Sequence, residues 1–232
     1  MAATPTLYLL HGALGAAAQF SSLQSALEKN FNCKALNFYG HGNAAAVHKT
    51  FRIELFAEQL HQELQKETEP VHVFGYSMGG FVACYCAHQF PERIKRIFTL
   101  GTKWEWTAET VSREVKMLDA NTIQQKVPAF ATQLAKRHSA LSWEVVLQRT
   151  AEMMRYLSMQ KIFGTAEAAG LQLPVCYAIG DRDKMVSKEE THAMYSANKL
   201  AQYCVLPNTP HPIEQVNDGL LVSILNHFFS TE

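Results

Sequence analysis

The feature that most constrains the fold is a repeated alternation between short apolar runs and longer segments of helical period. In TFRIELFAEQLHQELQKE, for example, Phe56, Leu60 and Leu64 recur on one helical stripe. Strands that alternate with helices form a mostly parallel sheet whose two faces are both covered. We therefore predict an α/β fold with a doubly wound, mostly parallel sheet. The predicted strands are TLYLLHG, CKALNFYGHG, VHVFG, IKRIFTLG, LPVCYAIG and AQYCVLP.

Local signals mark several helix ends. The segment from Met78 to Gln89 is predicted to be a helix that ends before Pro91. Ser187, with Glu190 three residues later, predicts a capping box at the start of another helix. Pro212 suits a first helical turn, so we predict that it opens the final helix. The apolar side of that helix is predicted to comprise Ile213, Val216, Leu220, Ile224 and Phe228.

The pattern changes over residues 102–170, where no strand is evident. Asn121, Pro128 and Ser142 separate several amphipathic segments there. Because the strand pattern resumes afterwards, we interpret this stretch as a helical cap insertion at the strand ends and not as a linker. The predicted organisation is one domain over residues 1–232, with the cap insertion at 102–170.

Composition excludes several kinds of partner. The chain has 21 Lys and Arg residues against 21 Asp and Glu residues, which are interspersed. Such a chain is not expected to have the strongly basic surface that binds nucleic acids or anionic membranes. No apolar stretch of about 18 residues and no basic N-terminal region is evident, so we predict a soluble, cytoplasmic protein without a signal peptide. The odd cysteine count without CxxC spacing predicts buried thiols at Cys33, Cys84, Cys86, Cys176 and Cys204.

A serine lies at a sharp corner between the third predicted strand and its helix. GYSMG matches G-x-S-x-G, in which the glycines permit a strained turn that exposes the serine oxygen. The corner lies at the carboxyl ends of the strands, where open parallel sheets bind ligands, and at a helix N-terminus, which favours negative charge. We predict that Ser77 is a nucleophile. The alternative is an ordinary serine in a glycine-rich turn, since so short a pattern also occurs by chance.

A serine hydroxyl needs a base that removes its proton, and the base needs a carboxylate that orients it. Of the ten histidines, only His211 lies in the loop after the last predicted strand. The chain order of nucleophile, acid and base places the base there, so we predict His211 in this role. The alternative is a surface histidine between two prolines. The loop GDRDKMVS offers two acids, Asp181 and Asp183, and each is also plausible as an ordinary loop carboxylate.

Five motifs occur in the order typical of one family: HGALG at 11–15, YGHGN at 39–43, GYSMGG at 75–80, GDRD at 180–183, and the late histidine. Together they resemble the α/β-hydrolase family over nearly the whole chain. The resemblance implies that Asp183 is the acid of a catalytic triad and that Asp181 is structural. It also implies an oxyanion hole formed by the backbone N–H groups of Ala13 and Met78.

The chain departs from the family pattern in two places. Asn37 and Ala44 stand near the GHG loop where many relatives carry Asp and Ser, which changes the hydrogen bonds expected there. The chain also begins almost directly with the strand before HGALG, so two strands of fuller members have no room. We therefore expect a sheet of about six strands. By the same resemblance, His11 is interpreted as a structural residue that holds the oxyanion loop.

Apolar residues in or beside the predicted cap either pack it onto the sheet or line an apolar substrate pocket. Trp104 and Trp106 follow the fourth strand closely, and side-chain alternation favours only one of them facing the site. We predict substrate contacts from Trp104 and Met154. No metal-ligand spacing is evident, so we predict no metal and no cofactor.

These residues predict a serine hydrolase that cleaves an ester or thioester of a small to medium apolar acyl substrate through an acyl-enzyme intermediate. Its predicted partner is a small molecule. Because fold and triad do not choose the reaction, a C–C bond hydrolase, a menaquinone-pathway-type lyase and a ligand receptor remain alternatives. A lyase for an anionic substrate would need cationic groups at the pocket. The candidates are Lys103, Arg113, Lys116, Arg149 and Arg155.

Overall fold

The computed structural model describes residues 4–230, in which a six-stranded parallel sheet lies between two layers of helices. The strands are β1 (Thr6–Leu10), β2 (Asn32–Leu36), β3 (Val71–Tyr76), β4 (Ile94–Leu100), β5 (Val175–Gly180) and β6 (Gln202–Leu206). Their order across the sheet is β2-β1-β3-β4-β5-β6. The predicted fold class and strand number are confirmed. The predicted domain bounds include residues 1–3 and 231–232, which lie outside the described residues.

Ten α-helices connect or follow these strands within residues 4–230. They are α1 (Ser21–Leu27), α2 (Ile53–Leu64), α3 (Met78–Gln89), α4 (Ala108–Lys116), α5 (Ala120–Lys126), α6 (Pro128–Arg137), α7 (Trp143–Met159), α8 (Thr165–Ala169), α9 (Lys188–Ala197) and α10 (Asp218–Ser230). The predicted bounds of α3 are confirmed, and so is the capping box of α9. In that box the Ser187 hydroxyl accepts from the Glu190 amide at 3.0 Å, and the Glu190 carboxylate accepts from the Ser187 amide at 2.8 Å.

The sheet has one hydrophobic core on each face, because alternate strand residues point to opposite sides. Leu7 and Leu9 of β1 belong to a core shared with α1 and α10. Tyr8 and Leu10 belong to the other core, shared with α2 and α3. The strand order reverses between β1 and β3, so the carboxyl ends of these two strands open the crevice in which doubly wound sheets bind ligands.

The predicted start of the last helix is wrong. Pro212 opens only a short 3₁₀ turn, and the chain is extended again at Val216, whose ψ is 138°. The helix α10 begins at Asp218, because the side chain of Asn217 accepts a hydrogen bond from the Leu220 amide at 2.9 Å and caps it. Because of this later start, the buried side of α10 differs from the predicted apolar side. The buried residues of α10 are Leu221, Leu225, Phe228 and Phe229.

Residues 102–170, called the helical segment below, contain the five helices α4 to α8 between β4 and β5. Pro128 opens α6 and Ser142 caps α7, as expected of helix-start residues. Asn121 does not separate helices, since it lies inside α5, whose N-cap is Asp119. The function of this segment as a cap stays a prediction.

The five cysteines and the lengths of the apolar helices can be compared with what the sequence predicted. Cys33, Cys84, Cys86 and Cys176 are buried, Cys204 is half-buried, and all five are free. Within residues 4–230, no helix combines the length and the apolar character needed to traverse a bilayer.

Candidate active site

Ser77 occupies a strained corner between β3 and α3. Its φ is 51° and its ψ is −118°, a left-handed conformation that a serine rarely adopts. The strand and helix approach so closely that a Cβ on Gly75 would lie 2.5 Å from the Cα of Gly80. The end of β4 holds the corner, because the Ser77 amide donates to the Leu100 carbonyl at 2.8 Å and the Thr102 hydroxyl donates to the Ser77 carbonyl at 3.0 Å. A strained residue persists only where its surroundings hold it in this way.

The two residues predicted as acid and base are in contact. Oδ2 of Asp183 lies 2.7 Å from Nδ1 of His211. The other carboxylate oxygen of Asp183 accepts hydrogen bonds from the amides of Met185 and Val186 at 2.8 and 3.0 Å. Burial by itself raises the pKa of Asp183, but these hydrogen bonds and the nearby imidazole lower it overall. Asp183 is therefore ionised at neutral pH and can orient His211.

Asp181 has a different position from Asp183. Its carboxylate accepts a hydrogen bond from the Thr209 amide at 3.0 Å, and its own amide donates to the Leu206 carbonyl at 2.9 Å. These bonds join the loop after β5 to the loop that carries His211. The contacts of Asp181 thus agree with a structural role.

Tyr76 supports the main chain of His211, the predicted base, and it was not singled out in the sequence. Its hydroxyl donates to the main-chain carbonyl of His211 at 2.9 Å. Tyr76 immediately precedes Ser77, so one strand end supplies both the corner and a support for the His211 loop. Its location in the GYSMGG motif was the available signal.

The loop HGALG lies beside the serine, where the oxyanion hole is predicted. The carbonyl of Gly12 accepts from Nδ1 of His11 at 2.8 Å and from the Gly15 amide at 3.1 Å. Nε2 of His11 accepts from the Phe38 amide at 3.2 Å, which leaves the ring proton on Nδ1. Because the Gly12 carbonyl and the Ala13 N–H belong to one planar peptide unit, fixing the carbonyl also fixes the direction of that N–H. These contacts agree with the expected structural role of His11.

The second predicted donor, Met78, is the first residue of α3. Its amide is one of the N–H groups that have no acceptor within their own helix. Together with the helix dipole, such a group favours an anion in front of the helix.

A cavity of about 620 Å³ joins these groups. Ser77, His211, Ala13 and Met78 all line it. Most of the remaining wall is apolar, and the helical segment contributes a large part of it. Its apolar lining residues include Trp106, Leu118, Phe130, Met153, Met154 and Leu157. Met154 therefore lines the cavity, and its predicted contact with substrate stays a prediction.

Trp104, from which a substrate contact was predicted, does not line this cavity. Trp104 is buried, and its ring packs against Phe81, Phe163 and Tyr177 at centroid distances of 5.6 to 6.1 Å. Trp106 faces the cavity instead. Of the two tryptophans only Trp106 thus lines the cavity, and a substrate contact from Trp104 stays a prediction.

Charged groups occupy part of the cavity wall. Of the five cationic candidates, Lys103 lines the cavity and binds the Met185 carbonyl at 2.8 Å. Arg113 instead pairs with Glu114 at 3.2 Å, and Arg149 donates to the carbonyl of His48. Glu114 itself lines the cavity, and so do Arg137 and Glu214, which form an ion pair at 2.9 Å. No sequence pattern singled out either of them.

Three histidines lie in a buried cluster next to the oxyanion loop. The ring of His41 lies 5.1 Å from that of His11 and 5.7 Å from that of His138. Burial lowers the pKa of His11 to about 3 and that of His138 to about 4, and it lowers the pKa of His41 well below the ordinary value. All three are therefore neutral at neutral pH.

The nearby GHG loop compensates for its departure from the family pattern. The side chain of Asn37 accepts from the Ala17 amide at 2.7 Å and donates to Asn43 at 2.9 Å.

Within residues 4–230, no group of three or more His, Cys, Asp or Glu side chains is arranged to hold a metal ion. The expectations of no metal and no cofactor stay predictions.

A family model described as "alpha/beta hydrolase fold" matches residues 5–162, more than half of the chain. The chain belongs to the alpha/beta hydrolase family. The family resemblance inferred from the five motifs is thereby confirmed.

Individual relatives of this hydrolase are distant. A pimeloyl-[acyl-carrier protein] methyl ester esterase of Aliivibrio fischeri is 23% identical over 97% of this chain and 90% of its own length. Among solved structures, NosK from Streptomyces actuosus has a TM-score of 0.80 and 19% identity, covering 98% of each chain. A thermophilic esterase from Thermogutta terrifontis has a TM-score of 0.75 and 19% identity, covering 97% of this chain and 90% of its own. At these identities the structural similarity establishes the fold.

Proposed function

We propose that this hydrolase cleaves an ester or thioester of a small to medium apolar acyl substrate through an acyl-enzyme intermediate. The observation that carries the proposal is the 2.7 Å contact between His211 and Asp183 at the wall of a cavity that Ser77 also lines. A serine and a base at one cavity, with an acid bonded to the base, are the groups that acyl transfer requires.

In the proposed mechanism, Nδ1 of His211 donates to Asp183, so the lone pair of Nε2 is the base. It takes the Ser77 proton as the serine oxygen attacks the substrate carbonyl, and Asp183 stabilises the charged imidazole. The leaving group then takes that proton from His211. A water molecule repeats the sequence and releases the acid, which regenerates Ser77.

The amides of Ala13 and Met78 bind the negative oxygen of the tetrahedral intermediate in this scheme. The position of Met78 at the start of α3 and the fixed Gly12–Ala13 peptide support that assignment. Loss of one such donor typically lowers the rate by about 10²–10³.

The apolar side chains in the cavity wall, among them Met153, Met154 and Leu157, support an apolar acyl group. We propose that the helical segment acts as a cap that covers this group. The name of the Aliivibrio fischeri relative supports an oxygen ester, since that protein is a methyl ester esterase.

Steady-state hydrolysis of p-nitrophenyl esters from acetate to octanoate tests the proposal. Multiple turnover by the wild-type enzyme should disappear in Ser77→Ala, whose circular dichroism and melting temperature should stay close to wild type. Ser25→Ala is a matched control, because Ser25 is an exposed residue of α1. Turnover that persists in Ser77→Ala, with contamination excluded, contradicts the proposal. A folded wild-type protein that turns over no ester would also contradict it and favour a C–C bond hydrolase, a lyase or a receptor.

A further inference from the structure

Leu14 holds an unusual backbone conformation next to the proposed oxyanion donor Ala13. Its φ is 59°, in the left-handed region that residues with a side chain seldom occupy. It lies in the turn closed by the bond from the Gly15 amide to the Gly12 carbonyl. A non-glycine residue persists in this region only when neighbouring groups hold it there. The groups that hold Leu14 therefore determine the shape of the turn.

Two side chains of the helical segment bind the Leu14 carbonyl. Nη1 of Arg137 donates to it at 2.9 Å, and Nε2 of His138 lies 3.1 Å from it. Nδ1 of His138 accepts from the Gly42 amide at 3.0 Å, so the ring proton is on Nε2 and that nitrogen is a second donor. Both residues lie at the end of α6, where Arg137 is the last helical residue and His138 is the C-cap.

The same end of α6 is fixed to other parts of the site. The amide of Ser139 donates to the Gly42 carbonyl at 2.8 Å, which places His138 against the GHG loop. Nη2 of Arg137 pairs with Oε1 of Glu214 at 2.9 Å, and Gln19 donates to the same oxygen at 2.7 Å. Because Glu214 follows His211 by three residues, Arg137 connects the oxyanion loop to the loop of the base.

The ion pair itself contributes little, because the Glu214 side chain is 50% exposed. The Arg137 side chain is only 16% exposed, and His138 is buried. The bonds to the Leu14 carbonyl are thus the better shielded part of this arrangement.

We propose that Arg137 and His138 are positioning residues that hold the Leu14 carbonyl and thereby keep the Ala13 N–H aimed into the oxyanion hole. This inference rests on the proposed function. His11 fixes the Gly12 side of the turn, and the helical segment fixes the Leu14 side. Displacement of the end of α6 therefore disorders the oxyanion hole, so the hole is complete only when the helical segment is seated.

The test uses Arg137→Gln and His138→Phe, which removes the donor to the Leu14 carbonyl, with Lys136→Gln as a matched control. Lys136 is the exposed neighbour on α6 and its replacement removes the same charge. The neutral ester p-nitrophenyl butyrate separates positioning from substrate binding, because a lost transition-state contact lowers kcat and a lost ground-state contact raises KM. We expect kcat of Arg137→Gln to fall about 10- to 100-fold with KM within about threefold, by analogy with partial loss of an oxyanion donor.

Two further readouts address the turn directly. The inhibition constant of an alkylboronic acid, which forms a tetrahedral adduct with the serine, should rise in parallel with the loss of kcat/KM. Amide hydrogen exchange of the peptide over residues 11–16 should accelerate in Arg137→Gln and stay unchanged in Lys136→Gln. Arg137→Lys should recover part of kcat, since an ammonium group can donate to the Leu14 carbonyl without bridging to Glu214.

Wild-type values of kcat, boronate affinity and exchange in Arg137→Gln would overturn the positioning role while leaving the proposed function intact. A rise in KM alone would also overturn it and would make Arg137 a substrate contact. Absence of Ser77-dependent turnover in the wild-type enzyme would overturn the proposed function and this role with it. If His138→Phe fails to fold, Arg137→Gln decides the question.

Discussion

Oδ2 of Asp183 lies 2.7 Å from Nδ1 of His211, although 28 residues separate them along the chain. The contact forms because Asp183 follows β5 and His211 follows β6, and these strands are parallel neighbours. Their carboxyl ends reach the same edge of the sheet. The bond from Thr209 to Asp181 then joins the two loops.

Asp183→Asn should remove most of the activity without unfolding the protein. An amide in place of the carboxylate fails to hold the proton on Nδ1 of His211 or to stabilise the charged ring, which lowers kcat by roughly 10⁴-fold in a triad of this kind. Ester hydrolysis measures the effect. Asp181→Asn is the matched control, because Asp181 bonds to Thr209 and not to His211. Similar losses in both variants would argue against Asp183 as the acid.

The sequence predicted the sheet and the serine corner, because both depend on local motifs and on the alternation of strands and helices, whereas the choice of Asp183 over Asp181 came from the family resemblance. The start of α10 was predictable in principle, since Asn217 before Asp218 is itself a helix-start signal that competed with Pro212. Which of Trp104 and Trp106 lines the cavity was not predictable from the sequence, because their orientation depends on how the helical segment packs. The role proposed for Arg137 was not predictable from the sequence either. Its contacts join parts of the chain 77 and 123 residues away, and no local pattern reports such distances.

Tyr76→Phe should lower activity by reducing support for the base. The variant loses the 2.9 Å hydrogen bond to the His211 carbonyl but keeps the buried ring. We expect a destabilisation of about 1 kcal/mol and a severalfold fall in kcat. Urea unfolding and ester kinetics measure the two effects. Tyr8→Phe is the control, because the hydroxyl of Tyr8 in β1 bonds to Glu67 in the loop after α2, and neither residue lines the cavity. It should lose stability alone, and equal kcat values in the two variants would contradict the role of Tyr76.

Replacement of the two tryptophans should give different results. Trp106→Ala enlarges the cavity and should favour longer acyl chains, because each additional buried CH₂ contributes about 0.8 kcal/mol and two of them raise selectivity roughly tenfold. Trp104→Ala leaves a hole in the core and should cost about 3–5 kcal/mol. The ester series and thermal unfolding separate these effects. A longer chain optimum in Trp104→Ala, with Trp106→Ala unchanged, would reverse the assignment made from the structure.

The buried histidines should make the protein less stable as the pH falls. Burial lowers the pKa of His11 to about 3 and those of His72 and His138 to about 4, and it lowers the pKa of His41 strongly. In the unfolded chain these groups bind protons near pH 6.5, so unfolding takes up protons below that pH. Their contribution to stability is complete above about pH 6.5 and is lost toward pH 4, at up to about 1.4 kcal/mol per pH unit for each histidine.

His138→Gln isolates one of these protons. A glutamine amide can donate to the Leu14 carbonyl and accept from the Gly42 amide, but it takes up no proton in this pH range. Its free energy of unfolding, measured with urea from pH 7.5 to 4.5, should therefore fall less steeply than that of the wild-type enzyme, by the contribution of one histidine. His192→Gln, at an exposed position of α9, is the control for the histidine-to-glutamine substitution itself. Parallel pH profiles for His138→Gln and the wild-type enzyme would mean that His138 already binds its proton in the folded state, which the donor and acceptor assignment at Leu14 and Gly42 does not permit.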